Sequence, residues 1–93
     1  MAIFSRGVTP EAKRDMGRIL AGSPPYLHNT IRAAWQQLMK EIRVNPHQKG
    51  WPAPMLGYPH LRRLDAWPLR VFFSVRQPPL MDLYVEVVSF SRM

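Results

Sequence analysis

Between residues 27 and 42, apolar side chains recur at intervals of three and four: Leu27, Ile31, Ala34, Trp35, Leu38 and Ile42. Sustained over roughly four turns, that spacing fits a helix with one buried stripe. It also obliges the rest of the chain to supply a layer for the stripe to rest on. His28, Arg32, Gln36 and Lys40 run along a different face and read as solvated. Trp35 lies in the stripe and is read as core, so no chemistry is sought there.

A second helix precedes it. In TPEAKRDMGRIL, Thr9 suits the N-cap, Pro10 the first helical position, and Glu11 the positive end of the helix dipole. Ala12, Met16 and Ile19 or Leu20 fall on one face, and Gly22-Ser23-Pro24-Pro25 ends the helix. The short link predicts an antiparallel helical hairpin. Before it, AIFSR (2–6) predicts a short opening strand with weak alternation. After it, residues 43–60 carry four prolines and two glycines, which exclude regular structure through most of the stretch. Connections this long are often functional, and Trp51 is expected to anchor this one to the body.

The last third reads as strand. One strand is expected over His60 to Ala66. In LRVFFSVR, Val71, Phe73 and Val75 point one way, and Arg70, Phe72, Ser74 and Arg76 the other. Pro78 to Asp82 break the run. LYVEVVSF then places Leu83, Val85 and Val87 on one face and Tyr84, Glu86, Val88 and Phe90 on the other. The two segments predict an antiparallel hairpin. The expected fold is a single α+β domain over 1–93, with the helical hairpin on one face of a small, mostly antiparallel sheet of three or four strands.

Composition narrows the function classes. There is no cysteine, which excludes disulfides and thiolate metal sites, and the three histidines are scattered. No metal or other cofactor is expected. No apolar run reaches membrane length and no signal segment opens the chain, so a cytoplasmic protein is expected. Thirteen Lys and Arg face six Asp and Glu, a net +7, and ten of the cations are arginine. Arginine's planar donor fork suits phosphate and carboxylate, so nucleic acid or an acidic protein is the expected partner class.

The order VTPEAKRDMGRIL, then IRVNPHQKG closing a long helix, then LRVFFSV and YVEVVSF, resembles the RelE/ParE toxin superfamily of bacterial type II toxin–antitoxin systems. The resemblance spans nearly the whole chain and rests on order and spacing, since each motif is short. Asn45-Pro46 with Gly50 is similar to the family's turn after the second helix. Leu61, Arg63 and Leu64 resemble its second strand, with Leu69 standing where an aromatic is usual in the third, and Val87 to Phe90 resemble the closing strand. The resemblance implies one of two activities. RelE-like members cut mRNA in the ribosomal A site, while ParE-like members poison DNA gyrase by binding it. Both imply a cognate antitoxin, with a homodimer or a toxin–antitoxin hetero-oligomer as the assembly. Arg70 matches the family's third-strand arginine, which contacts the reacting phosphate in the nucleases. Arg63 matches a basic position in the second strand, and Arg92 lies near the basic residue after the last. RelE-like nucleases also carry a further arginine and a tyrosine beyond this point, which the sequence after Arg92 lacks.

Attack of a ribose 2′-hydroxyl on the neighbouring phosphate needs a proton acceptor and cations for the charge that develops. Arginine stays protonated and supplies only the second. The expected catalytic set is therefore Arg70, Arg63 and His60, with His47, Lys49 and Tyr84 as other proton-transfer candidates. The expected nucleic-acid contacts are Arg70, Arg76, Arg63, Lys49 and Arg92. An arginine in such a strand can equally lie over the open sheet face, its stem covering apolar area. Tyr84, Val88 and Phe90 form the expected antitoxin-docking strip, to which an acidic antitoxin would be drawn by the net charge. Trp51 and Trp67 could stack on bases, although anchoring the loop and capping the sheet serve equally well. The leading expectation is a toxin that cleaves mRNA on the ribosome without a metal. A gyrase-binding toxin and a harmless, repurposed binding protein are the alternatives.

Overall fold

A computed structural model describes residues 4–76 and 84–93. Helix α1 (Pro10–Ala21) starts as its cap predicts: the Thr9 hydroxyl accepts the Ala12 N–H at 3.1 Å. Gly22 closes it, and the chain turns through 22–27 into α2 (His28–Glu41). Ser23 holds that turn by donating to the Ile19 carbonyl at 2.6 Å. On α2 the residues Ile31, Ala34, Leu38 and Met39 are buried, and Ile42 follows them into the core. Met39 extends the stripe read from sequence. Trp35 instead sits at its border, half-buried against the core.

The strands are β1 (Ser5–Val8), β2 (Trp51–Pro52), β3 (Leu61–Ala66), β4 (Leu69–Arg76) and β5 (Tyr84–Arg92). They form one sheet in the order β1-β5-β4-β3-β2, antiparallel except where β1 runs parallel to β5. The sheet is thus α+β and mostly antiparallel as expected, but it has five strands rather than three or four. The opening strand expected over 2–6 is met by β1, shifted to Ser5–Val8; the added strand is β2, which the sequence hides because it is two residues long and contains a proline. The break expected at Pro78–Asp82, and Leu83 after it, lie outside the described residues.

Helices pack on one face of this sheet. Leu69, Val71 and Phe73 of β4 and Val85, Val87 and Phe90 of β5 meet Ala12, Ile31 and Leu38 in a single core. The phasing read for β4 holds: Val71 and Phe73 are fully buried and Val75 packs partly against the core. The phasing read for β5 needs correction. Its register shifts opposite Phe72 and Phe73, which pair with Ser89 and Val87, so Val88 is the extra residue of a bulge. Beyond it the alternation is inverted. Phe90 therefore turns into the core at 5% exposure and does not share the face of Tyr84.

Strand β1 covers only the first part of β5, and α1 side chains satisfy the edge beyond it. The Thr9 hydroxyl donates to the Val88 carbonyl at 2.9 Å, and the Asp15 carboxylate accepts the Phe90 N–H at 3.1 Å. The segment after α2 is also more ordered than its composition suggests. Asn45 adopts φ 49°, Pro46 to Gln48 form a short 3₁₀ turn, and Arg62 donates to the Lys49 and Gly50 carbonyls at 2.9 and 3.2 Å. Gly50 has φ 62°, and a Cβ there would run into the Arg63 carbonyl. Gly50→Ala is expected to cost at least about 2 kcal/mol, from the left-handed backbone and the backbone clash together. A urea titration with an unchanged midpoint would contradict this.

Candidate functional site

Cross-strand partners share a face, so the register alone assembles the surface opposite the helices. One row across it runs Trp51, Arg63, Phe72 and Ser89; the next runs Asp65, Arg70 and Ser91. A third row carries Leu61, Ser74 and Glu86. Arg63 and Arg70 are diagonal neighbours on adjacent strands, which places their Cβ atoms about 7–8 Å apart.

Neither cation stands alone. Asp65 directly opposes Arg70, and the pair is bidentate, with Nε–Oδ1 at 2.8 Å and Nη2–Oδ2 at 3.2 Å. Their side chains are 32% and 19% exposed, so the pair is partly shielded from water. The hydrogen bond to Asp65 holds the Arg70 guanidinium above its usual value, against a smaller opposing effect of burial. The charge therefore persists at any physiological pH. The Arg63 guanidinium lies over the Trp51 ring, 5.4 Å from its centroid, and its buried Nε has no hydrogen-bond partner. Trp51 is 55% exposed, so it stacks on Arg63 instead of packing into the body as expected from sequence.

The remaining expected site residues lie elsewhere. His60 is exposed just before β3 and lines a pocket of about 300 Å³ with His47, Arg62, Val75 and loop prolines; neither Arg63 nor Arg70 borders it. Lys49 sits in the loop before β2, its carbonyl held by Arg62. Arg92 pairs with the core residue Leu69 and reaches the helical turn, donating to the Ser23 hydroxyl at 3.2 Å. It thus occupies the face opposite Arg70. Arg76 ends β4 opposite Tyr84, but its side chain lies outside the described part. Tyr84 lies across Gly7 of β1, and Val88 forms the bulge. Trp67 is exposed at the β3–β4 turn. The structure therefore brings Arg63 and Arg70 together and separates both from His60 and Arg92.

A feature unread in the sequence lies on the helical side. Phe90 and Trp35 floor an apolar cleft of about 380 Å³ between α1, α2 and the sheet, with Met16 and Leu20 as a wall and Lys13 and Arg32 as cationic borders. A second cleft shares Trp35 and Gln36 with it and continues past Arg6, Lys40 and Arg43. The available signal was the polar–apolar border position of Trp35. Among the described residues no group of three metal-ligating side chains comes together, and no helix is long and apolar enough to cross a membrane.

No family model and no curated relative matches the sequence. The fold does match. The chain superposes on one from the chromosomal ParDE TA system from P. aeruginosa with a TM-score of 0.74, covering 98% of this chain and 97% of that one at 18% identity. The likeness is one of fold: a helical hairpin on one face of a mixed, mostly antiparallel sheet.

Proposed function

We propose that the protein is the toxin of a type II toxin–antitoxin pair and acts in the ParE manner, by binding DNA gyrase rather than by cutting RNA. The observation that carries this reading is the closed Arg70–Asp65 pair. A phosphate would have to displace a bidentate carboxylate, and His60 lines a pocket that neither Arg63 nor Arg70 borders. With the Asp65 carboxylate engaged by Arg70 and His60 set apart, the two arginines offer electrostatic stabilisation without the proton acceptor expected for 2′-hydroxyl attack. The likeness to a chain of a ParDE system supports the same choice. The expected antitoxin docks along the cleft of Trp35 and Phe90, whose apolar floor and cationic borders suit an acidic amphipathic segment. Phe90 thus keeps a part in docking, on the opposite face from Tyr84.

The purified protein is expected to inhibit gyrase supercoiling, and induced cells should lose thymidine incorporation before methionine incorporation. Ribosome-bound mRNA should stay intact in a primer-extension assay. Cleavage at codon boundaries, with unimpaired gyrase, would sink this reading and restore the ribosomal nuclease.

A further inference from the structure

We propose that the loop between α2 and β3 is a rigid arm that inserts Leu56 into an apolar, acid-rimmed pocket on the protein target. The inference rests on the target-binding reading above. Leu56 is fully exposed at 103%, Met55 beside it is 56% exposed, and Trp51 at the arm's base is 55% exposed. Exposed apolar side chains scattered over a surface need no explanation, but these stand together on one projecting segment.

The projection is built. Met55 and Tyr58 exchange both backbone hydrogen bonds, at 3.1 and 2.8 Å, which leaves Leu56-Gly57 as a two-residue turn. Gly57 supplies φ 84° at the position where a type II turn requires it, and Leu56 occupies the outer corner. Ala53 donates to the Leu61 carbonyl at 2.8 Å, and Arg62 clamps the carbonyls of residues 49 and 50. Pro52, Pro54 and Pro59 further restrict the backbone, so little ordering entropy is left to lose on docking.

Charge and side-chain type identify the occupant. From Ile42 to Leu64 the chain has no carboxylate and carries Arg43, Lys49, Arg62 and Arg63, so an acidic rim would be attracted. The tip itself is aliphatic. Bases stack on aromatic rings, and the arm's Trp51 already has Arg63 over its ring. An aliphatic anchor on a segment that carries four cations and no carboxylate fits a protein pocket better than a nucleic acid. Only Arg43 and Val44, at the start of the loop, line the second Trp35 cleft; the arm from Asn45 onward shares no lining residue with either.

The test compares the full chain with Leu56→Asp and, as a second variant, Leu56→Ser. Both should melt within about 3 °C of the parent, as surface changes do. Leu56→Asp should weaken gyrase inhibition and growth arrest by about tenfold or more, with Leu56→Ser intermediate. If the parent inhibits gyrase and both folded variants match it, the arm is refuted and the gyrase reading stands. If the parent spares gyrase yet arrests growth, and Leu56→Asp abolishes the arrest, the arm stands and gyrase is the wrong target. A parent that does neither overturns both. Variants that inhibit gyrase normally but lose affinity for a single-stranded oligonucleotide would overturn the protein-pocket assignment in favour of nucleic acid.

Discussion

Phe73→Ala should remove a large share of the protein's stability, whereas Phe72→Ala, one residue away, should remove little. Phe73 is fully buried in the single core between β4 and the helices. Truncating such a ring removes its transfer free energy and leaves a cavity, together worth about 3–5 kcal/mol. That is a large share of the roughly 5–15 kcal/mol that holds a small domain together. Phe72 lies half-buried on the opposite face, between Arg63 and Ser89, and its loss should cost about 1 kcal/mol. Urea titrations measure both. The slopes should match, and the Phe73→Ala midpoint should fall several times further than that of Phe72→Ala. Equal shifts would mean that the two residues do not face opposite sides.

This contrast was legible because period-two alternation in β4 is uninterrupted. The same reasoning failed four residues into β5, where Val88 adds a residue to one strand. Nothing in YVEVVSF distinguishes a bulge from a straight strand, since valine suits either. The error moved Phe90 from the core to the open face, and it concealed the cleft that Phe90 floors. The helical hairpin was legible for a related reason: Thr9, Pro10 and the α2 stripe are local signals, and their local meaning survived tertiary packing. By contrast, the order of the 43–60 segment comes from Arg62, twelve or more residues away in sequence from the carbonyls it holds. Composition correctly excluded long elements there but had no means of showing a turn locked by a distant guanidinium.

The candidate site was half legible. Alternation put Arg70 on the face of Phe72, and the register adds Arg63 to it by pairing Arg63 with Phe72. What period alone left out was the partner across the hairpin. Ala66 pairs with Leu69 and Asp65 with Arg70, so Trp67 and Pro68 form a two-residue turn that fixes the charge pair. With that register, an arginine that sequence left open to a phosphate becomes one held by a carboxylate.

Reversing that pair separates the structural role of Arg70 from a chemical one. Arg70→Asp would set two carboxylates opposite each other on β3 and β4, where like charges destabilise a sheet. The single variant should melt well below the parent at pH 7. It should recover as pH falls, because repulsion raises the folded-state pKa of the pair and protonating one carboxyl relieves it. Adding Asp65→Arg swaps the two charges, restores a cross-strand ion pair and should bring the melting temperature back towards the parent's. The swap also moves the cation to the neighbouring strand, while catalysis at a phosphate tolerates little displacement of a contacting group. On the proposed gyrase reading, if Arg70 is held chiefly to join β3 to β4, the swapped protein should inhibit gyrase within about threefold of the parent. If Arg70 meets a reacting phosphate, the swapped protein should fold and yet be inert. A folded swap that no longer inhibits gyrase would therefore refute a purely structural role for Arg70, and a parent that cleaves mRNA where the folded swap does not would restore the nuclease reading.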